Sequence, residues 1–233
     1  MNLRLFHYLP RTAVEGPGLR ASVQVQGCPI RCPGCALPQT WPSEGGEIVD
    51  SAALARRILA TPGLEGVTFL GGEPFAQAAA LADVGERVRR RGLSVLTFTG
   101  YTLEALQARR DEAVDALLAV TDLLLAGPFR QNERDFSRPW VGSANQRFHF
   151  LTPRYAHLAG RLAAIPNRIE VRLHPDGRVE MNGLAAPEAM RGLADFSFIM
   201  PTNSNQNEVT KCQEKSSSTL PFSVSPAAEK PVC

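Results

Sequence analysis

Apolar and polar side chains alternate over residues 21–26, with Ala21, Val23 and Val25 on one side and Ser22, Gln24 and Gln26 on the other. A period of two predicts a strand, and Gly27 ends it. The period then changes. Asp50 or Ser51 can cap a helix that runs to about Ala60, with Leu54 and Ile58 on one face and Pro62-Gly63 as its stop. Residues 67–70 form a short apolar strand that ends at Gly71-Gly72. Leu81, Val84 and Val88 share a face of a helix predicted over 77–91, with Gly92 as its C-cap. A third strand is expected over 94–98 and helical stretches over 102–110 and 111–119, where Val114, Leu117 and Leu118 fit a buried stripe. A fourth strand is expected over 122–126. Beyond it, Ile169, Val171 and Leu173 alternate with Glu170 and Arg172, Pro175-Asp176-Gly177 reads as a turn, and 178–181 can return as a second strand. A last short helix is expected over 186–193.

Strands and helices in alternation, joined by short connections, predict an α/β fold with a mostly parallel sheet. Ligands of such folds bind at the carboxyl ends of the strands. Four segments are therefore expected on one face: the loop after the first strand, Gly71-Gly72-Glu73-Pro74, Thr99-Gly100-Tyr101 and Gly127-Pro128-Phe129.

Composition narrows the functional classes. The 233 residues, 44% hydrophobic and 21% charged, suit one globular domain with a tail. From about Thr202 the chain turns polar and Pro-rich, so 1–201 is read as the core domain and 202–233 as a disordered tail. A net charge of +2 gives no reason to expect nucleic acid. No apolar run is long enough for a bilayer, and residues 1–10 do not read as a secretory signal, so no membrane partner and a cytoplasmic location are expected. The arginine run Arg87, Arg89, Arg90 and Arg91 reads as a solvated helix end.

Of five cysteines, Cys28, Cys32 and Cys35 lie within eight residues, while Cys212 and Cys233 are far away in the tail. An odd total with a tight triplet argues against a disulfide framework and for a metal. Three thiolates on one loop can each take an iron of a cubane, and the missing fourth leaves one iron with an open position. Pro29, Pro33 and Gly34 bend the loop so that the thiols converge. The rival is a zinc site completed by His7, His149, His157 or His174, although no second ligand pair has structural-zinc spacing. In Gly71-Gly72-Glu73-Pro74, glycines let a ligand approach the backbone and a carboxylate can accept from a cationic amine.

These strings, taken in order, resemble the radical S-adenosylmethionine superfamily, and within it the activating proteins of anaerobic ribonucleotide reductase. The resemblance runs from about Val14 to Leu184. It rests on Val14-Glu15-Gly16-Pro17-Gly18-Leu19-Arg20, the cysteine loop followed by Thr40-Trp41, Gly71 to Pro74, Phe98-Thr99-Gly100-Tyr101-Thr102, Gly127-Pro128-Phe129, and Gly142-Ser143-Ala144-Asn145-Gln146-Arg147. It implies a partial, open β/α barrel. It also implies a 4Fe-4S cluster on Cys28, Cys32 and Cys35, with S-adenosylmethionine on the open iron and against Gly71, Gly72, Glu73, Pro74, Thr99 and Tyr101. The implied chemistry is reductive cleavage of the sulfonium to a 5′-deoxyadenosyl radical that abstracts hydrogen from a backbone glycine of a glycyl-radical enzyme. A flavodoxin- or ferredoxin-like protein is implied as electron donor. Ala126 stands where these activases carry Asp, and Ala36-Leu37 where they carry an aromatic and Asn. A small-molecule or peptide substrate therefore stays open beside the glycyl radical, as does a non-catalytic zinc or iron–sulfur binding module.

Overall fold

The computed structural model describes residues 1–185; the helix expected over 186–193, the tail over 202–233, Cys212 and Cys233 lie outside the described residues. The described residues belong to one compact unit, Met1–Ala189. In chain order its strands and α-helices are β1 (Asn2–Thr12), β2 (Arg20–Val25), β3 (Glu47–Asp50), α1 (Ser51–Leu59), β4 (Gly66–Gly71), α2 (Ala78–Arg89), β5 (Ser94–Thr99), α3 (Leu103–Gln107), α4 (Glu112–Val120), β6 (Leu123–Ala126), β7 (Arg147–Phe150), β8 (Ile169–Leu173) and β9 (Val179–Gly183).

Seven strands form one open sheet in the order β3-β1-β2-β4-β5-β6-β7. Its centre, β2-β4-β5-β6, is parallel, as the alternation of strands and helices predicts. The flanks are antiparallel: β1 with β2 and β3, and β7 with β6. The helix boundaries follow from capping. Asp50 accepts from Ala53 N–H, Thr102 from Ala105 N–H, and Asp111 from Ala113 and Val114 N–H, each satisfying donors that the first turn leaves free.

Each face of the sheet has a distinct filling. Ala21, Val23, Val25, Val67, Phe69 and Val95 pack with Leu54 and Ile58 of α1, Leu81, Val84 and Val88 of α2, and Leu117 of α4. The opposite face is polar on one side, with Arg20, Ser22, Thr68 and Ser94 out of contact with water, and apolar on the other, where Leu96, Leu123 and Leu125 pack with Val141 and Tyr155. Its anchor is Arg20, which donates to Thr68 Oγ1 (2.8 Å), Ser94 Oγ (3.0 Å), Tyr155 OH (2.9 Å) and the carbonyls of Pro17 (3.1 Å) and Val67 (2.7 Å). Tyr155 OH also donates to Glu65 Oε1 (2.7 Å), so the charge is balanced through the phenol. In the arginine run, Arg87 and Arg90 pair along the helix with Asp83 and Glu86, and Arg89 ties α2 to Asp122 at 2.7 Å.

Three strands have no counterpart in the sequence reading, for local reasons. In β1 the register slips between Leu5 and His7 and again between Leu9 and Thr12. Leu3 and Leu5 are therefore buried in one phase and Tyr8 and Leu9 break it, which erases the alternation. The strands β3 and β7 are four residues each, too short for a period to show.

The hairpin β8-β9 forms where expected, with Leu173 opposite Val179 and Ile169 opposite Gly183. Its polarity is inverted. Val171, Leu173, Val179 and Met181 are exposed. The polar face turns inward: Glu170 accepts from Ala13 N–H, Arg172 donates to Arg11 C=O, and Asn182 donates to Thr12 Oγ1 and Glu15 Oε1. The end of β1 offers unpaired backbone groups there, and polar side chains are what satisfy them.

Candidate metal centre

Residues 27–43, between β2 and β3, carry the three cysteines. Gly27 takes φ +94°, and the loop is drawn shut by Gly27 N–H to Thr40 C=O (2.8 Å) and Cys28 N–H to Trp41 C=O (3.1 Å). The side chain of Gln26 holds the far limb through the carbonyls of Gln39 (3.1 Å) and Pro42 (2.8 Å). Inside the loop, Arg31 and Gly34 adopt left-handed φ of 51° and 76°, and Cys35 N–H closes a turn on Cys32 C=O (3.1 Å). Leu37 N–H donates to Cys35 Sγ at 3.4 Å. Burial pushes the Cys32 thiol above its ordinary range, the Phe129 backbone N–H opposes this, and the neighbouring Cys28 and Cys35 add to the rise. A buried thiol whose ionisation its neighbours hinder is stabilised as a thiolate by a nearby cation.

All three cysteines line one cavity of about 220 Å³. Its other walls come from Gly71-Gly72-Glu73 after β4, Phe98-Thr99-Gly100 after β5, and Gly127 and Phe129 after β6. The four segments expected at the carboxyl ends of the parallel strands therefore meet. Among the described residues, no group of three His, Cys, Asp or Glu side chains is arranged around a single metal ion. A cubane makes a different demand, one iron per thiolate. None of the four histidines lines the cavity, so the donor set of zinc is not completed there.

The two glycines of the second segment have a packing reason of their own. A Cβ on Gly72 would lie 2.4 Å from the Gly27 carbonyl oxygen, and one on Gly71 2.8 Å from Gln24 Cα. Gly72 N–H donates to Val25 C=O (2.8 Å) and Glu73 N–H to Gly27 C=O (2.9 Å). Bare backbone is needed so that the β4 turn can bond to the root of the cysteine loop. The expectation that these glycines admit a ligand is thus joined by a second role, which fixes the two halves of the cavity to each other.

Glu73 is 1% exposed. Its Oε1 accepts from Phe75 N–H (2.9 Å) and Thr99 Oγ1 (2.9 Å), and its Oε2 from Gly100 N–H (2.9 Å). Burial raises its pKa to about 7, against the lowering effect of the Gly100 and Phe75 N–H groups, the Thr99 hydroxyl and the Arg109 charge. The carboxylate binds the end of β4 to the end of β5 and sits in the cavity wall. Thr99 is its partner. Pro74 is buried at the start of the 3₁₀ turn Pro74–Gln77 and does not line the cavity. Nor does Tyr101, whose ring lies under Arg109 (3.9 Å from centroid to Cζ), the charge that also acts on Glu73.

Ile30, Trp41, Phe98, Phe129 and Gln146 line the cavity as well. The Gly142–Arg147 string explains Gln146: its Oε1 accepts from Gly142 N–H (2.9 Å) and Ser143 N–H (3.1 Å), and Asn145 Nδ2 donates to Pro128 C=O (2.8 Å). The Asn145 bond and one from Gln146 Nε2 to Gly127 C=O (3.3 Å) hold the turn after β6 against the start of β7. Ala36 and Leu37 face the cavity, whereas Ala126 is buried within β6.

Three thiols with no fourth ligand among the described residues of the cavity, set in a wall of exposed backbone, fit a cluster that keeps one iron for a small molecule. The class this defines is that of the 4Fe-4S single cluster domain, which matches residues 14–149, and the chain belongs to that family. Within it the chain is one of the activating proteins of the radical S-adenosylmethionine type. It is 32% identical over 153 residues to the anaerobic ribonucleoside-triphosphate reductase-activating protein of Vibrio cholerae, covering 62% of this chain and 96% of that protein. The corresponding Escherichia coli protein is 31% identical over 152 residues with the same coverage. Pyruvate formate-lyase 1-activating enzyme of Escherichia coli is 32% identical over 142 residues, covering 58% of this chain and 54% of the enzyme. The family match stops before β8, so the inverted hairpin lies beyond it. No helix among the described residues is long and apolar enough to cross a membrane.

Proposed function

We propose that this chain installs a glycyl radical on a partner enzyme of the anaerobic ribonucleotide reductase type. One observation carries the reading: the three cysteines, the Glu73 carboxylate and the strand-end backbone of β4 and β5 line a single cavity. When bound, the reduced 4Fe-4S cluster supplies the electron that cleaves S-adenosylmethionine to a 5′-deoxyadenosyl radical. The chain's own part is to bind and orient. Cys28, Cys32 and Cys35 would hold three irons of the cluster. Glu73, held by Thr99 and Gly100, offers a desolvated carboxylate to the methionyl ammonium. The apolar walls at Ile30, Phe98 and Phe129 keep water from the reacting carbon. A flavodoxin- or ferredoxin-like donor in the cytoplasm would supply the electron.

The test is anaerobic incubation of reconstituted, dithionite-reduced protein with S-adenosylmethionine, which should release 5′-deoxyadenosine and methionine. No product from a protein with a full complement of iron would sink the enzyme reading. Ala36 and Leu37, which face the cavity, favour a second reading in which a small molecule or peptide is the substrate. Electron paramagnetic resonance on a mixture with the reductase separates the two: a glycine-centred doublet supports the first, and its absence despite product formation supports the second.

A further inference from the structure

The sheet ends at β7, and the geometry of that edge is specific. Leu151 N–H donates to Asp122 C=O at 2.9 Å, and the pairing continues with His149 opposite Leu124 and Arg147 opposite Ala126. In an antiparallel ladder, alternate residues point their backbone groups inward. Arg147 and His149 therefore bond to β6, and Phe148 and Phe150 turn their N–H and C=O groups outward. Among the described residues no other backbone group bonds to those of Phe148 or Phe150. Trp140 and Arg138 do lie against the Phe148 ring. Arg138 also donates to the outward Gln146 C=O at 2.8 Å, so the free backbone of this edge is that of Phe148 and Phe150.

Free edges are usually blunted by proline, lysine or a bulge. Here β7 is short and begins with the exposed Arg147, but it holds neither Pro nor Lys, and its pairing with β6 shows no register shift. Its position is the second observation. Because β7 runs antiparallel to β6, it begins beside Ala126, at the carboxyl ends of the parallel strands. The residue just before it, Gln146, lines the cysteine cavity. The open edge thus leads to the cavity mouth.

We propose that the partner's glycine-bearing segment docks as an extended strand on β7, bonding through its backbone to Phe148 and Phe150 and reaching the cavity at Gln146. This rests on the reading of the chain as a glycyl-radical activase. The target is a backbone carbon, and strand addition recognises backbone first. A glycine has no side chain to keep its Cα from the cavity wall. The occupant is therefore an extended polypeptide with glycine at the position that comes level with Gln146.

Hydrogen exchange on the holoenzyme tests this with the intact reductase and with a short synthetic peptide copying a reductase glycine segment. The Phe148 and Phe150 amides should exchange at least about tenfold more slowly when either is bound. Peptides N-methylated at alternate residues should divide by parity: one set should bind about tenfold more weakly, the other like the parent, because only alternate amides face β7. Equal loss or no loss in both sets overturns the docking mode, as does a glycine doublet formed with no protection at Phe148 and Phe150. Amides already protected in the free protein also overturn it, since the edge is then covered by the chain itself or by a second copy. Failure of S-adenosylmethionine cleavage is a different outcome and strikes the activase reading instead.

Discussion

Replacing Glu73 by Gln tests the electrostatics of the cavity wall. The carboxyl ordinarily titrates near 4.5 and is raised to about 7 here, chiefly by burial. Between these values the unfolded chain has lost the proton and the folded chain keeps it. Stability therefore falls as pH rises, by ~1.36 kcal/mol per pH unit for one proton. Across this window the loss is about 3 kcal/mol, complete above pH 7 and absent below pH 4.5. Glu73→Gln keeps the shape and carries no titrating proton, so the loss should vanish. Urea unfolding of cluster-free wild type and variant at several pH values measures the difference, with all other titrating groups cancelling. The variant should gain about 3 kcal/mol on wild type between pH 4.5 and 7. Parallel profiles would refute the argument, because they would mean that burial does not outweigh the donors from Phe75, Thr99 and Gly100 and that the folded carboxyl titrates in its ordinary range.

The same carboxylate links pH to ligand. If it meets the methionyl ammonium, S-adenosylmethionine affinity measured by calorimetry should fall as pH drops below 7, approaching tenfold per pH unit, and Glu73→Gln should flatten that slope. Gly72→Ala places a methyl 2.4 Å from the Gly27 carbonyl and should cost about 2–4 kcal/mol in urea unfolding and lower the iron content, since Gly27 roots the cysteine loop; wild-type values of both would contradict the packing role of Gly72. Tyr155→Phe removes the hydroxyl shared by Arg20, Ser94 and Glu65 and should cost about 1–3 kcal/mol, yet leave iron content unchanged because Ser94 begins β5 and the cavity lies at its other end; an iron loss would show that the two ends are coupled.

Much of the site was legible before any coordinates. Cys28, Cys32 and Cys35 lie on one loop, so their proximity is a matter of chain length. Glu73 and Thr99 each follow an apolar run that reads as a strand, and the sidedness of parallel α/β sheets places both at the same end. Tyr101 shows the limit. It is two residues past Thr99, but the chain has already turned into the cap of α3, and its ring goes to Arg109. Gln146 was visible only as part of a string, because its place depends on the bonds that fold residues 127–146 back on themselves. The hairpin was found and its polarity was not: alternation gives two faces and does not say which one meets the protein.

What the sequence determined by itself is the order of the parts: three thiols on one loop, a carboxylate after a glycine pair, and alternating strands and helices. These are properties of neighbours in the chain, fixed by covalent spacing and by periods of two and 3.6. Tertiary structure alone decided that Gly71 and Gly72 are bare so that backbone can meet backbone, that Glu73 is buried and bonded to β5, and that β7 pairs with β6 and begins beside the cavity. Each of those depends on groups tens of residues apart. Their hydrogen bonds and exclusion of water exist only once the sheet has brought them together.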